Sequence, residues 1–523
     1  MLKNWINIFI YHLKNNKLFT ALNVLGLSIG IAGIIFAILY WNDEQSYNDW
    51  NPNKDRVFQS IYKNGPTDYM TTNVAPLEAY LKTDFNEIES YCYFRDWYYE
   101  EIVQYKNKKE ILKITNAQNT FFDMFPFYFI QGNAKTALKD NTSIAISKAT
   151  AEKLFGSENP MGKIVAHSGK KLVVRGVYLV PGNSSIQPDA VIDFMDKDLL
   201  QNKEEWSNFN YGLLLKLKKP NDKDRVVAKI EKILYENREV KWAKEQGITT
   251  EEWSKKNGYD AMKNFLEPLA TARLYSIADG YPEGKGNLQF LMIMVGLSVL
   301  ILILSLFNYI NLATASAIKR AKEVGVRKII GASKANIIQQ FIFETILITM
   351  FSIFLALVIV ELSLPYYNEF LGKNLVIYGS QFYLQLLFIF IITIVVAGIF
   401  PAVYVSNFET LKVLKGNFGR SKSGIWLRNS MLILQFSIAT FFIVGSYIVY
   451  QQIQFISTKD LGFKGEQVLS ITYRNKIKWG EDNYKKKFYN RYAMIKAEIY
   501  KMKGVEQVAT GAFRFGTAFR FVL

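Results

Sequence analysis

Cysteine and histidine are scarce: one cysteine, Cys92, and two histidines, His12 and His167, in 523 residues. That inventory excludes an intrachain disulfide and a cysteine–histidine zinc site, and leaves Cys92 as a small core residue. A phosphate-binding loop is also missing. Four Gly-Lys pairs begin at Gly162, Gly169, Gly284 and Gly372, but Ile164, Lys171, Gly286 and Asn374 follow them in place of the Ser or Thr that ligates magnesium. The chain is expected to hydrolyse no ATP by itself and to hold no cofactor or metal of its own. H-E-x-x-H is absent too, and no carboxylate pair presents itself as an acid–base couple, so the sequence reads as a non-enzyme.

Charge is nearly missing from five long apolar runs, at residues 18–41, 288–317, 337–363, 383–405 and 431–455. Each is long enough to cross a hydrocarbon core, which takes about 20 residues. The expected fold class is a polytopic α-helical membrane protein with about five transmembrane helices. The first run is too long for the core of a cleavable signal, and no small-residue cleavage site follows Trp41-Asn42-Asp43, so it reads as an anchor. A secondary transporter would place ionisable groups at mid-depth. The first and fifth runs hold none, while Glu344 and Glu361 lie toward opposite ends of the third. Asn308 and Asn311 are expected to make hydrogen bonds between helices, and Pro401 to take part in packing the fourth span.

Against that apolar background the chain carries a net charge of +17. Residues 1–17, 317–336 and 406–430 carry +3, +5 and +4, most of the total, and they alternate along the chain as cytoplasmic segments do under the positive-inside rule. Nucleic acid is not needed to explain the charge. The topology that follows puts the N-terminus and residues 318–336 and 406–430 in the cytoplasm. Residues 42–287, 364–382 and those after about 456 lie outside.

Before the first run, Leu2, Trp5, Ile6, Phe9 and Leu13 recur at helical spacing with Lys3, Lys14 and Lys17 beside them. This predicts either a helix lying in the lipid interface or an extension of the span itself. Residues 42–287 are long enough for a folded extracytoplasmic α+β domain. Strand-like runs fall at 143–147, 173–180 and 211–217, and helix-like runs at 76–84, 148–155 and 222–236. The stretch 426–455 repeats the pattern of 5–41, so residues 456–523 read as the start of a second, incomplete outer domain.

One basic segment stands between the second and third runs. A helix through 319–330 puts Arg320, Glu323 and Arg327 on one face and Val326, Ile330 and Ile337 on another. Arg327 and Lys328 suit the end of the helix, Gly331 can stop it, and Ser333 can cap the next one. Exposed ion pairs of this kind contribute only a few tenths of a kcal/mol, so stability is a poor reason for them. Residue chemistry alone leaves a topology signal and a docking surface equally open.

The segment 308–344, NYINLATASAIKRAKEVGVRKIIGASKANIIQQFIFE, resembles the membrane domain of the MacB/FtsX family of ABC transporter permeases. That family's pattern R-x-x-E-x-G-x-R-x-x-x-G-A falls here on Arg320, Glu323, Gly325, Arg327, Gly331 and Ala332. Residues 121–165 and 174–185 resemble the family's MacB-like periplasmic core domain, and 398–418 the exit of its fourth span. One departure is visible: Asn407-Phe408-Glu409-Thr410 stand where the family usually has a proline before "LKG", which puts the angle of that linker in question.

The resemblance implies a permease subunit whose segment 320–333 docks onto a separate cytoplasmic ABC ATPase carrying ATP and Mg. Gly325 would allow close approach to that partner, and Glu323 and the arginines would complement it. It further implies contact with membrane lipid, a dimer or pairing with another permease half, and a partner for the outer domain. Cargo would be peptides, amphiphilic toxins or lipoproteins, exported or extracted. The alternative is a regulator that transports nothing and switches a cell-wall hydrolase or sensor.

Overall fold

The structure is a computed structural model, and it describes residues 2–63, 68–257, 263–279, 281–319, 321–406, 422–459, 468–469, 471 and 482–509. It divides into two compact units, Met1–Gln435 and Phe436–Leu523. Of the second, the described part is the latter portion of a long helix, Lys422–Thr458, and a helix at Tyr484–Tyr500 that buries no residue. Apart from that long helix, everything below concerns the first unit.

Among the described residues five helices are long and apolar enough to cross a membrane: Lys17–Gln45, Leu288–Lys319, Lys334–Leu371, Ser380–Ser406 and Lys422–Thr458. Each expected apolar run lies inside one of them. The third helix runs past Pro365 and stops at Gly372, whose left-handed φ of 62° suits glycine. The amphipathic helix at the start, Leu2–Asn15, is separate from the first long helix, with a non-helical Asn16 between them. Its Trp5 ring lies 5.6 Å from Phe343 and its Phe9 is buried, while Ile6, Ile10 and Leu13 are exposed.

The first and second long helices approach through glycine. A side chain at Gly30 would come within 2.7 Å of Ser305 Oγ and 3.2 Å of the Leu302 backbone, and one at Gly26 within 3.6 Å of Asn308 Nδ2. Small residues at this spacing let two backbones draw together, which is what holds helices in an apolar medium. Around this seam Leu27, Ile31, Ile35, Leu306, Tyr309, Ala356, Val360 and Ala397 form one buried cluster.

The α+β domain between the first and second long helices has two sheets. One is wholly antiparallel: Asn264–Pro268, Val57–Lys63, Phe209–Leu217 and Thr72–Val74 lie side by side, with Ile88–Phe94 also on Phe209–Leu217 and Tyr69–Met70 on Val57–Lys63. Helices Leu77–Thr83 and Lys223–Leu234 contribute to the core on that sheet. The other closes on itself: Lys170–Leu179, Ser143–Ser147, Ala190–Ile192, Lys108–Asn116, Tyr99–Tyr105 and Ile164–His167 form a ring, and Tyr128–Gly132 is added along Lys170–Leu179. Closure removes sheet edges, and the inward residues Val103, Leu112, Ile114, Ile144, Ile146, Val165, Leu172 and Val174 fill the interior. The three strand-like and three helix-like runs read from the sequence all occur as such elements. A third core, rich in aromatics from Phe121 to Phe127 with Tyr178, Cys92, Phe94 and Leu214, joins residues of both sheets. Cys92 is fully buried there, and burial pushes its thiol well above the ordinary range.

Two predictions follow from this packing. Gly30→Leu forces a side chain into the Ser305–Leu302 contact and should cost about 1–3 kcal/mol; an unchanged thermal midpoint of the detergent-solubilised chain would show that the two helices do not touch there. Asp193, 7% exposed and with one oxygen unpaired, has its carboxyl pushed up to about 7 by burial first and by neighbouring Asp196 second. A folded-state value above the unfolded one means that stability is fullest below the ordinary carboxyl range and declines as pH rises through about 7. Asp193→Asn, which mimics the protonated acid, should therefore raise the midpoint more at pH 8 than at pH 5. An equal effect at both would exclude a titrating Asp193.

Candidate coupling site

The basic segment folds as a short helix, Ala321–Ile329, between the second and third long helices. It ends as the sequence predicts: Ala332 N donates to Arg327 O at 2.9 Å, Gly331 N to Lys328 O at 3.2 Å, and Gly331 takes φ +102°. This pair of bonds around a left-handed glycine is a Schellman stop. Ser333 Oγ then accepts from Asn336 N at 3.2 Å and caps the third long helix. Ala332 lies in this turn, half-buried.

The side chains of this helix are arranged differently from the sequence expectation. Val324 is buried with Ile337, Val405 and Phe341, and Gly325 beside it is buried as well. Gly325 is thus not placed to admit a partner, and Ile337 does not share a face with Val326 and Ile330. Facing outward are Val326, Ile329 and Ile330, at 46%, 62% and 80% exposure. The turn at Gly331 reverses the chain, which is why a face extrapolated through it from 319 to 337 fails.

Glu323, Arg327 and Lys328 turn toward the chain. Glu323 and Arg327 pair with each other one helical turn apart. Arg327 Nη1 donates to Gln340 Oε1 at 2.6 Å, and Gln340 Nε2 donates to Glu344 Oε1 at 3.1 Å. Gln340 and Glu344 are both buried. Lys328 Nζ donates to Ser406 O at 2.7 Å, at the end of the fourth long helix, where a cation suits the helix dipole. Burial, and secondly Lys334, holds the Lys328 ammonium below its ordinary range. The short helix is therefore tied to both the third and fourth long helices. Arg320, and the departure at Asn407–Thr410, lie outside the described residues.

Of the expected packing residues, Asn308 faces Gly26 and Pro401 is buried within the fourth helix. The amide nitrogen of Asn311 is buried without a partner, so the bond expected from it is not made. Between helices the bond is made nearby by Tyr309 Oη to Thr345 Oγ1 at 3.1 Å, and Thr345 also lies against Gly398 of the fourth helix.

Sequence reasoning missed a second cluster at the opposite ends of these helices. Glu44, 1% exposed, accepts from Arg273 Nε at 2.7 Å on one oxygen and from Arg273 Nη2 at 3.0 Å on the other. Lys373 Nζ lies 2.8 Å from Glu44 Oε1 and 2.7 Å from Asp43 Oδ2. Burial alone would lower the Lys373 ammonium, yet Asp43 and Glu44 hold it above its usual range. The Tyr47 ring is 4.1 Å from the Arg273 guanidinium and 5.0 Å from Lys373 Nζ. Asn183 Nδ2 donates to Asp43 Oδ1 at 2.8 Å and Ser46 Oγ at 2.9 Å. No local signal marks this cluster, because its members come from distant parts of the chain.

The fold is thus a ringed α+β domain spliced between apolar helices, with a capped helix–turn hairpin between the second and third. Comparison with known proteins assigns both parts. The family model for the MacB-like periplasmic core domain matches residues 20–233, and that for the FtsX-like permease C-terminal domain matches 295–413. The chain belongs to the MacB/FtsX-type permease family.

Among its relatives is the macrolide export ATP-binding/permease protein MacB of Mannheimia succiniciproducens, 22% identical over 64% of this chain and 49% of that protein. The protein of the same name from Campylobacter jejuni is 22% identical over 76% of this chain and 59% of that one. The chain thus spans about half the length of the curated relatives it matches. Of solved structures, a domain of a putative permease protein from Porphyromonas gingivalis covers 42% of this chain and 91% of its own at 19% identity and TM-score 0.34. The periplasmic region of MacB from Actinobacillus actinomycetemcomitans covers 41% and 90% at 17% identity and TM-score 0.27.

Gln340→Leu should break the ladder at its middle, leaving Arg327 and Glu344 each one bond short, at a cost of about 1–3 kcal/mol. The check is the thermal midpoint of the solubilised chain. A variant as stable as the parent would mean that the ladder contributes nothing to holding the short helix.

Proposed function

We propose that this chain is the membrane-spanning permease of an ABC system in a bacterial inner membrane, driven by a cytoplasmic ATPase that docks on the helix Ala321–Ile329. The observation that carries the reading is the outward ridge of Val326, Ile329 and Ile330 on a helix fastened to two long helices by Arg327 and Lys328. Exposed apolar residues at this spacing suit an apolar groove on a partner. The same helix is too well tied to move without its neighbours. Five helices of spanning length and the alternation of basic segments support residence in the bilayer with the N-terminus inside.

In this reading ATP and Mg are handled by the partner, and displacement of the short helix passes through the spans to the α+β domain outside. The work done there is export or extraction of peptides, amphiphilic toxins or lipoproteins. A non-transporting regulator of a hydrolase or sensor would use the same stroke.

The test is co-purification of the full chain with an ABC ATPase whose ATP turnover rises on adding the chain. Ile329→Asp with Ile330→Asp should lower both association and stimulation at least tenfold, while cysteines placed at Lys153 and Ser333 should be labelled from outside and inside respectively. Undiminished stimulation by the double variant, or outside labelling at Ser333, would remove the docking role.

A further inference from the structure

The acid pair Asp43–Glu44 sits at the last turn of the first long helix, where the chain leaves the apolar bundle for the α+β domain. Its partners come from two other places. Arg273 lies in the segment by which the chain leaves that domain for the second long helix, and Lys373 in the turn between the third and fourth. One buried carboxylate therefore touches the entry to the domain, the exit from it, and the outer turn of the remaining bundle.

The geometry is over-determined. Arg273 grips both oxygens of Glu44, and its own Nη1 donates to Glu283 O at 3.2 Å and Gly284 O at 3.0 Å. Gly286 N donates to Arg273 O at 2.7 Å, and any side chain at Gly286 would meet Glu44 Oε2 at 2.5 Å. Beyond the carboxylates the same helix end is locked into the domain. Asn48, in the left-handed region at φ 63°, donates to Ser185 Oγ at 2.8 Å and Leu269 O at 2.9 Å and accepts from Ser185 N at 2.9 Å. Buried ion pairs seldom raise stability over an apolar replacement, because desolvation offsets the attraction. What they supply, when every oxygen is directed, is a defined geometry.

We infer that Glu44, with Arg273, Lys373 and Asp43, is a positioning joint that fixes the direction of the α+β domain relative to the helix bundle, so that movement of the bundle becomes movement of the domain. The inference rests on the functional reading above only for the source of that movement. The joint itself is a property of this chain.

The experiment uses the full chain in lipid nanodiscs, with spin labels on Lys153→Cys in the domain and Tyr378→Cys in the outer turn. Both positions are exposed, and the native Cys92 is fully buried. Distance distributions are measured by pulsed EPR for the parent, Glu44→Gln and Gly286→Ala. Gln keeps the size of Glu44 and removes its charge; Ala at 286 keeps every charge and pushes the carboxylate from its seat.

Without ATPase, the parent should show one narrow distance, broadened at least twofold in Glu44→Gln and to a smaller extent in Gly286→Ala, with thermal midpoints within a few degrees of the parent. With an ABC ATPase that co-purifies with the chain, and ATP–vanadate, the parent distance should shift, and the shift should be lost in Glu44→Gln although the ATPase remains bound. A Glu44→Gln distribution as narrow as the parent's overturns the joint. A parent that shows the narrow distance and its broadening in the variants, but no nucleotide shift, overturns the functional reading and leaves the joint standing. Should Glu44→Gln not fold, the Gly286→Ala arm decides alone.

Discussion

A carboxylate withdrawn from water at the end of an apolar helix must be neutralised on the spot, and the fold around Glu44 is organised by that demand. One cation would balance the charge, but two reach it, and they arrive from segments distant in the chain. Arg273 brings the exit of the α+β domain, and Lys373 the turn between the third and fourth long helices. The requirement to pair one buried charge thus fixes three chain crossings. The glycine at 286 is the steric counterpart: with no side chain there, the segment leaving the domain passes close to the carboxylate that Arg273 grips.

At the opposite end of the bundle the same logic operates with weaker groups. Glu323, Arg327, Gln340 and Glu344 hand hydrogen bonds along from the surface into the interior, so that a buried glutamate is reached from the exposed end through an amide. Between the two ends the helices are fitted closely. Gly30 lies against Ser305 and Leu302, and Thr345 is bonded to Tyr309 and pressed against Gly398. Close-packed helices of this kind have few intermediate arrangements, so a displacement at one end is not readily absorbed on the way to the other.

The features legible in the sequence are those governed by neighbours along the chain. The five apolar runs, the strands at 143–147 and 211–217, the Gly331 stop and the Ser333 cap each need only a local pattern, and each occurs. What was illegible needs partners far away. Arg273 and Glu44 are 229 residues apart, Lys373 and Asp43 330, and neither spacing is periodic. The ring of six strands was equally hidden, since its closure depends on Ile164–His167 and Lys170–Leu179 pairing as a hairpin while the first also pairs with Tyr99–Tyr105. The short basic helix failed in a third way: its elements were read correctly and its faces were not, because a sharp turn at Gly331 separates Ile337 from the residues before it.

That reversal of faces bears on the two roles the sequence left open for the segment, topology signal or docking surface. A topology signal needs net positive charge near the ends of the spans and no particular orientation of any side chain. A docking surface needs a defined set of outward groups. Among the described residues Arg327 and Lys328 are used internally, on Gln340 and on the Ser406 carbonyl, while the outward set is Val326, Ile329 and Ile330. The charge of the segment as a whole remains available for orientation, since that depends on sign and position alone. The two proposed roles would thus fall on different residues, so assigning one of them takes nothing from the other.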